Sequence, residues 1–245
     1  MRSSLKALAF FAIALLPLGS AFGVEGEGDG SDPQTDAIIN KYLSATQEQQ
    51  SALRGASMNV DIDAEVPKLQ KKGKLQALRN ISKLGKITYN ALGFSGDKTI
   101  KNEVIARYLT AETQNDQNGD MSISPLNYKF KYRGLQNHDG KDVYVLAVSP
   151  RHKKVGLFKG EVWMDQKTYM PVRECGKFVK SPSIFLKKIE FVRTYEVRNG
   201  VAVPQHIESK VMTRLFGPVT LNIDFTNFSK DTTQDVASTA AASIQ

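Results

Sequence analysis

The chain has 245 residues, of which 41% are hydrophobic and 24% charged, and its formal net charge is +8. Its single cysteine, Cys175, cannot form a disulfide within the chain, which excludes a small disulfide-stapled scaffold. The fold must therefore rest on an apolar core, and a chain of this length and composition can supply one in a single domain. The basic charge favours an anionic partner.

The N-terminus has the pattern of a secretory signal peptide over residues 1–23. Arg2 and Lys6 precede an apolar run from Ala7 to Leu18, and small residues follow, so cleavage is expected near Ala21 or Gly23. The run is shorter than the roughly 20 residues of a spanning helix. No cysteine stands at the cleavage point, so no acyl anchor is expected. We expect a periplasmic protein with a mature net charge of +6, since cleavage removes two basic residues and no acidic ones.

The rest of the chain divides into three parts by composition. Residues 24–33 are acidic and glycine-rich and are expected to form a flexible linker, and residues 231–245 are expected to form a disordered tail. A single domain is expected over residues 34–230. It opens with apolar residues at helical spacing from Thr35 to Leu53, which predicts an amphipathic helix, or two short ones.

Beyond Gly55 the apolar period changes to two. Val60, Ile62, Ala64 and Val66 alternate with polar residues, which is typical of a strand with one buried face. Further strands are predicted over Gly73–Arg79, Lys86–Ala91, Thr99–Ile105, Tyr128–Gly134, Asp142–Ser149, Gly160–Asp165, Val172–Gly176, Leu186–Val197, Gln205–Leu215 and Val219–Phe228.

Turn residues join several of these strands into an antiparallel meander. Asp139-Gly140 and Asn199-Gly200 are hairpin signals. The strand from Asp142 to Ser149 is apolar on both faces, so we expect cover on each side. The segment from Val104 to Glu112 could end a strand or begin a helix.

No pattern in the sequence indicates catalysis or a bound metal. His138, His152 and His206 have no partners at metal-ligand spacing, and Cys175 has no histidine nearby in sequence. Motifs for serine hydrolases, zinc proteases and phosphate-binding loops are missing from the sequence. We therefore expect no enzyme activity, no cofactor and no metal, and we keep a hydrolase with a dispersed acidic pair as the least favoured alternative.

Two groups of acidic residues have simpler explanations than a site. The run from Asn115 to Asp120 resembles a calcium loop. Counted from Asp116, however, the sixth position is Met121 and the twelfth is Asn127, where glycine and glutamate are required. Asp61, Asp63 and Glu65 share one strand face, as residues of a solvated face would.

Two lysine-rich segments could attract an anionic surface. They span Lys68 to Lys86 and Arg151 to Lys154. Outside the cytoplasm an anionic surface means lipid headgroups more readily than nucleic acid. We expect transient membrane contact, or docking to an acidic partner, although such runs are also typical of solvated loops. The candidate docking residues are Lys71, Lys72, Lys153 and Lys154.

A succession of motifs from residue 128 to 228 resembles a known superfamily. An apolar strand over Val143–Pro150 is followed by a basic loop, by Gly160–Asp165 with its W-x-D ending, and by Tyr169–Glu174 with its P-V-R opening. This order resembles the periplasmic lipoprotein-carrier superfamily, typified by the outer-membrane lipoprotein-sorting protein LolA.

The resemblance implies a mainly β fold with some α structure. In that superfamily a strongly curved antiparallel sheet forms an incomplete barrel, and N-terminal and loop helices cover its open side. It also implies an apolar cavity for acyl chains. The candidate cavity residues on the predicted strands are Val60, Ile62, Tyr144, Leu146, Trp163, Ile189, Phe191, Val219, Leu221, Ile223 and Phe225.

Two functions follow from the resemblance. The first is a monomeric carrier that binds lipid or lipoprotein acyl chains and moves them to the outer membrane, with inner- or outer-membrane proteins as partners. The second is a lipid-sensing adaptor of the same fold, similar to the envelope-stress regulator RseB. That family normally has a second domain, for which few residues follow Phe228, so the carrier is favoured.

Overall fold

The computed structural model describes residues 33–114, 121–181, 186–214 and 216–230. The predicted signal peptide, almost all of the predicted linker, the predicted tail and the polar run 115–120 lie outside the described residues.

The described residues contain one antiparallel sheet of ten strands, whose order is β3-β2-β1-β10-β9-β8-β7-β6-β5-β4. The strands are β1 (Ala56–Val66), β2 (Lys71–Ile81), β3 (Ile87–Gly96), β4 (Tyr128–His138), β5 (Lys141–Pro150), β6 (Phe158–Asp165), β7 (Pro171–Phe178), β8 (Leu186–Arg198), β9 (Val201–Thr213) and β10 (Pro218–Lys230). The strands β1 to β3 form one meander and β4 to β10 another, and the pairing of β1 with β10 joins them into one sheet. The strands β3 and β4 form its two edges, and the sheet is open.

The predicted hairpin signals are confirmed. Asp139 and Asn199 have φ angles of 50° and 52°, and the glycines that follow them have φ angles of 77° and 75°. Two successive positive φ angles define the type I′ turn, whose twist matches that of the strands on either side. These turns connect β4 to β5 and β8 to β9.

The helices are α1 (Pro33–Ala52), α2 (Lys98–Ile100) and α3 (Ala106–Gln114), and a π-helical turn over Lys101–Ile105 joins the last two. The strand predicted from Thr99 to Ile105 is therefore wrong. Asp97 explains the outcome, because its Oδ1 accepts a hydrogen bond of 2.7 Å from the backbone N–H of Thr99 and caps the helix. The π turn adds a residue, which brings Ile100 and Ile105, five positions apart, onto the same buried side.

One face of the sheet packs against the helices. Directly opposed residues of neighbouring antiparallel strands lie on the same face. The register defines this helix-bearing face by one row that crosses all ten strands: Phe94, Leu75, Ile62, Ile223, Ile207, Arg193, Glu174, Val162, Leu146 and Tyr132.

Two separate apolar clusters lie on the helix-bearing face. In cluster one, residues of β1, β2 and β10 pack with Ile100 and Ile105. In cluster two, residues of β4, β5 and β6 pack with Ile38, Ile39 and Tyr42 of α1. The helix α1 and the segment 98–114 therefore cover different parts of the sheet. This arrangement confirms an antiparallel sheet with helices packed against it.

The strand β5 is covered on both faces, as its sequence predicts. Leu146 and Val148 belong to cluster two on the helix-bearing face. Val143 and Val145 point to the other face and are nevertheless fully buried. Trp163, the cross-strand partner of Val145, shares that outer face with them.

Candidate functional site

All but one of the predicted cavity residues lie on the helix-bearing face. Opposed pairs include Val60 with Phe225 and Ile62 with Ile223. Residues of β9 link two further pairs on this face: Val211 lies between Ile189 and Val219, and Ser209 lies between Phe191 and Leu221. Tyr144 is on the same face as Leu146, because their cross-strand partners on β6 are Met164 and Val162. The sequence thus predicted the correct strand face for these side chains.

Trp163 is the exception and is removed from the candidate wall. Its neighbours Val162 and Met164 point into cluster two, so alternation along the strand places Trp163 on the outer face. There its Nε1 donates a hydrogen bond of 2.9 Å to Glu161, and the guanidinium of Arg173 lies 5.0 Å from its ring. This side chain covers the outer face of β5.

Most of the predicted cavity residues on this face are packed against other side chains of the two clusters. Ile62, Ile223 and Leu146 are fully buried inside the two clusters. The strip between the clusters is different, because cluster one ends with Ile207 and Val211 of β9, and cluster two ends with Phe191 of β8. We call this strip, which follows β8 through Ile189, Arg193 and Tyr195, the seam. Ile189 lies in the seam, and its cross-strand partner Val211 borders the seam at the edge of cluster one; both side chains are only half-buried.

An ion pair occupies the seam. Arg193 Nη1 donates hydrogen bonds to Glu174 Oε2 at 3.2 Å and to the hydroxyl of Tyr195 at 3.4 Å. The Glu174 side chain is 8% exposed and that of Arg193 is 39% exposed, so the carboxylate is shielded from water and the arginine side chain is half-buried. Within the row that defines the helix-bearing face, these two are the charged residues.

The charges of this ion pair act on a tyrosine of each helical segment. Burial raises the pKa of Tyr42 on α1, and the nearby charge of Glu174 raises it further. Burial also raises the pKa of Tyr108 on α3; Glu112 adds to that shift and the charge of Arg193 opposes it. The same Arg193–Glu174 pair therefore acts on a tyrosine of each covering segment.

Tyr195 completes the polar part of the seam. Burial raises its pKa, Glu174 raises it further, and Arg193 acts in the opposite direction. Tyr195 in turn is the largest cause of the raised pKa of Arg193. At neutral pH the seam therefore holds a charged pair surrounded by neutral phenol groups that can donate hydrogen bonds.

A second buried ion pair fixes α3 to the sheet. Arg79 Nη2 lies 3.2 Å from Glu112 Oε1, and Arg79 Nε donates to the hydroxyl of Tyr89 at 3.1 Å. Tyr89 donates to the other carboxylate oxygen of Glu112 at 2.5 Å. Burial and the charge of Glu112 raise the pKa of Tyr89. These contacts join β2, β3 and α3.

Sequence reasoning missed both ion pairs. Arg79 stands at the same parity as Leu75 and Ala77, and Arg193 at the same parity as Ile189 and Phe191, which was the local signal for an inward charge. Their partners carry no such signal. Glu174 meets Arg193 through the register of β7 and β8, and Glu112, 33 positions from Arg79, meets it through the packing of α3.

The predicted docking lysines lie at one end of the sheet. The β1–β2, β5–β6 and β9–β10 connections share that end, as the pairs Val66 with Lys71, Glu65 with Thr220 and Phe158 with Phe178 indicate. We call it the basic end. Lys71 pairs with Asp97 at 3.1 Å and Lys72 with Glu65 at 3.4 Å.

Lys153 and Lys154 are exposed at the basic end and have no ion-pair partner in the described part of the chain. Across the described ranges, no group of three or more histidine, cysteine or acidic residues is placed to hold a metal ion. No helix in those ranges is long and apolar enough to cross a membrane.

A depression of about 350 Å³ lies beside α1, away from the seam. Its lining residues are Asn40, Lys41, Ser44, Ala45, Glu48 and Tyr169. None of the predicted cavity residues lines it, and it is a shallow depression open to solvent, so it does not enclose an acyl chain.

No protein-family model and no curated protein matches the sequence. Among solved structures, a DUF1329 family protein from Desulfovibrio piger matches 88% of this chain and 100% of its own, with 14% identity and a TM-score of 0.43. A LolA superfamily protein from Nitrosomonas europaea matches 82% of this chain and 96% of its own, with 12% identity and a TM-score of 0.40.

A chain of the MucA/MucB complex from Pseudomonas aeruginosa matches 77% of this chain and 98% of its own, with 11% identity and a TM-score of 0.28. The structural matches thus include the superfamily that the sequence resembles. At these identities and TM-scores they say nothing of ligand or activity.

Proposed function

We propose that this protein is a periplasmic carrier without catalytic residues, which binds the acyl chains of lipid or lipoprotein and moves them to the outer membrane. The observation that carries the proposal is the seam. It is the strip of the helix-bearing face that lies between the two apolar clusters within the described ranges.

The energetic argument starts from the half-buried apolar residues of the seam. An acyl chain lying over Ile189 and Val211 would remove them from water, and its own burial would contribute about 0.8 kcal/mol per methylene. No preformed cavity lined by the predicted residues is needed if α1 and the segment 98–114 move apart along this strip. We propose that the sheet then acts as the curved half-barrel that the sequence resemblance implies.

The ion pair of the seam has a role in this proposal. The charges of Arg193 and Glu174 act on Tyr42 of α1 and Tyr108 of α3. The side chain of Gln49 on α1 also accepts a hydrogen bond of 2.7 Å from the backbone N–H of Ala202 on β9, which holds α1 against the sheet in the closed arrangement. An acyl chain of roughly a dozen methylenes provides enough apolar burial to offset the loss of a hydrogen bond worth about 1 kcal/mol. Binding of an acyl chain in the seam therefore competes with the closed arrangement of α1 and the segment 98–114.

A lipid-sensing adaptor of the same fold is the second candidate. The edge strand β3 favours it, because an edge strand offers unpaired backbone groups to a partner strand and Leu92 on β3 is 65% exposed. An adaptor would bind a membrane-protein partner more tightly when lipid is present, whereas a carrier would release its lipid to that partner.

The proposal is tested by substitutions in the seam. We expect Ile189→Gln combined with Val211→Gln to weaken binding of a fluorescent long-chain fatty acid by about tenfold, because both polar amides would face the acyl chain. The matched control is Val192→Gln, on the same strand but on the outer face opposite Cys175. Equal affinity in the seam variant and the wild type, with both folded by circular dichroism, would contradict the seam as the binding site.

A further inference from the structure

Large apolar side chains are exposed at the basic end of the sheet. Leu69 follows β1 and is 41% exposed, and Phe216 precedes β10 and is 45% exposed. Met212 at the end of β9 and Leu126 before β4 are also exposed there. Single exposed apolar residues need no explanation, but several that share one end of a sheet mark an interaction surface.

Leu69 and Phe216 lie on two connections that touch. The strand β1 pairs with β10, so the β1–β2 and β9–β10 connections are neighbours. Lys68 packs against Gly217, since a Cβ on that glycine would lie 3.6 Å from the lysine Cδ. The β9–β10 connection is closed by the N–H of Thr213 donating to the carbonyl of Gly217 at 3.0 Å. The two apolar tips are thus held side by side on short connections.

One lysine lies beside these apolar tips, and two more lie further along the same end of the sheet. Lys68 adjoins Leu69 in sequence, is exposed, and has no ion-pair partner among the described residues. Lys153 and Lys154 add unpaired positive charge at the same end of the sheet, whereas Lys71 and Lys72 are compensated by Asp97 and Glu65. Apolar side chains flanked by lysines are the pattern of a surface that inserts shallowly between anionic headgroups.

We propose that Leu69 and Phe216, with Lys68 beside them, form an insertion edge that docks this protein on an anionic lipid bilayer, and that Lys153 and Lys154, four strands or more away at the same end of the sheet, add to the attraction. The lysines attract the headgroups and the two apolar side chains enter the interface. Charge complementarity selects this occupant, because an apolar protein groove would leave Lys68 without a counter-charge. The proposal concerns the membrane rather than the cargo, and it holds whether or not the seam binds acyl chains.

The experiment is flotation with vesicles of phosphatidylethanolamine and phosphatidylglycerol, compared with pure phosphatidylcholine vesicles. We expect the wild type to bind the anionic vesicles, and Leu69→Ser combined with Phe216→Ser to weaken that binding about tenfold or more. A variant with Gln in place of Lys68, Lys153 and Lys154 should also bind less, and raised salt should weaken the wild type. Wild-type flotation that is equal on both vesicle types would overturn the proposal.

The matched control is Leu84→Ser on the β2–β3 connection at the opposite end of the sheet. Leu84 is 93% exposed and lies between Lys83 and Lys86 in the sequence, so it has the same local chemistry without a second apolar tip beside it. Its substitution should leave flotation unchanged. If this variant loses binding while the Leu69 and Phe216 variant keeps it, the insertion edge is wrongly placed.

A fluorescent fatty-acid titration separates this test from the carrier proposal. The Leu69 and Phe216 variant should retain acyl binding and the wild-type melting temperature, since both side chains are exposed in the wild type. Flotation lost with acyl binding intact supports the insertion edge. A wild type that binds fatty acid but no vesicles overturns the insertion edge and assigns the surface to a protein partner.

Discussion

At the scale of single residues, the two inward-facing ion pairs differ in their exposure to water. Arg79 and Glu112 have side chains that are 10% and 20% exposed, whereas Arg193 is 39% exposed beside its shielded partner. A buried pair costs desolvation energy, so losing one partner is more harmful than losing the pair. Arg79 is thus the more buried of the two arginines, while Glu174, at 8% exposed, is the more buried of the two carboxylates.

Replacing Arg79 with Met should lower the free energy of unfolding by about 3 kcal/mol, because the Glu112 carboxylate would stay buried without its cation. Adding Glu112→Leu should restore part of the loss, since no uncompensated charge would remain. Chemical denaturation measures both effects. Lys74→Met is the control: Lys74 pairs with Asp63 at 3.1 Å on the exposed outer face, and its loss should not change the midpoint measurably. Equal losses at the two positions would contradict the difference in burial.

The tyrosines of the helix-bearing face predict a loss of stability at alkaline pH. In the folded state the pKa values of Tyr42, Tyr89, Tyr108 and Tyr195 lie above the ordinary value of 10.0, chiefly because of burial. A group whose pKa is raised by folding stabilises fully below its unfolded pKa, and that contribution is lost as the pH rises above it. Stability should therefore fall progressively above pH 10.

Tyrosine absorbance and circular dichroism, followed together against pH, measure this coupling. We expect part of the tyrosine ionisation to coincide with unfolding. Ionisation of every tyrosine in a single step near pH 10, with the fold intact, would show that these hydroxyls are not buried. The variant Tyr42→Phe should reduce the loss of stability at alkaline pH, because it removes one of the buried hydroxyls whose ionisation is coupled to unfolding.

At the scale of secondary-structure elements, the last strand tests the assignment of faces. Ile223→Asp should destabilise the protein by about 4 kcal/mol or more, because a carboxylate would replace a fully buried side chain in cluster one. The control is Asn222→Asp on the exposed neighbour, which points to the outer face. Thermal melts that shift equally for both variants would mean that the register of β10 is wrong.

The sequence predicted the strands well because alternation reports directly on a sheet with one buried face. The last strand, from Val219 to Phe225, and the two type I′ turns carry strong local signals. The strand predicted from Thr99 to Ile105 was wrong for a physical reason: a π turn spaces Ile100 and Ile105 in a way that matches neither the helical nor the strand period. The capping side chain of Asp97 was the local signal that could have identified this helix.

The candidate site was harder to predict than the fold. The predicted cavity residues were chosen separately on each strand. Alternation divides the side chains of a strand between two faces, but where both faces are apolar it does not show which face points to the helices. For Trp163 the choice of face was wrong. The pairing of Arg193 with Glu174 depends on the register between β7 and β8, which no local pattern contains.

At the scale of the whole molecule, the clusters divide the covering helices into two groups. The helix α1 belongs to cluster two, and the segment 98–114 belongs to cluster one, while the sheet is continuous beneath both. The helix α1 is also tied to β9, because Gln49 Oε1 accepts a hydrogen bond of 2.7 Å from the backbone N–H of Ala202. We propose that separation along the seam breaks this hydrogen bond but leaves both clusters packed, and that it admits cargo.

Native mass spectrometry of the protein purified from a periplasmic extract is the most direct test of the carrier proposal. We predict a population with an added mass of one or a few acyl-chain molecules, which organic extraction releases and which fatty-acid analysis identifies. The Ile189→Gln and Val211→Gln variant should carry less of this mass, and the Val192→Gln control should carry as much as the wild type. A wild-type protein that is free of bound lipid, and that also fails to take up a long-chain fatty acid in solution, would contradict the carrier function.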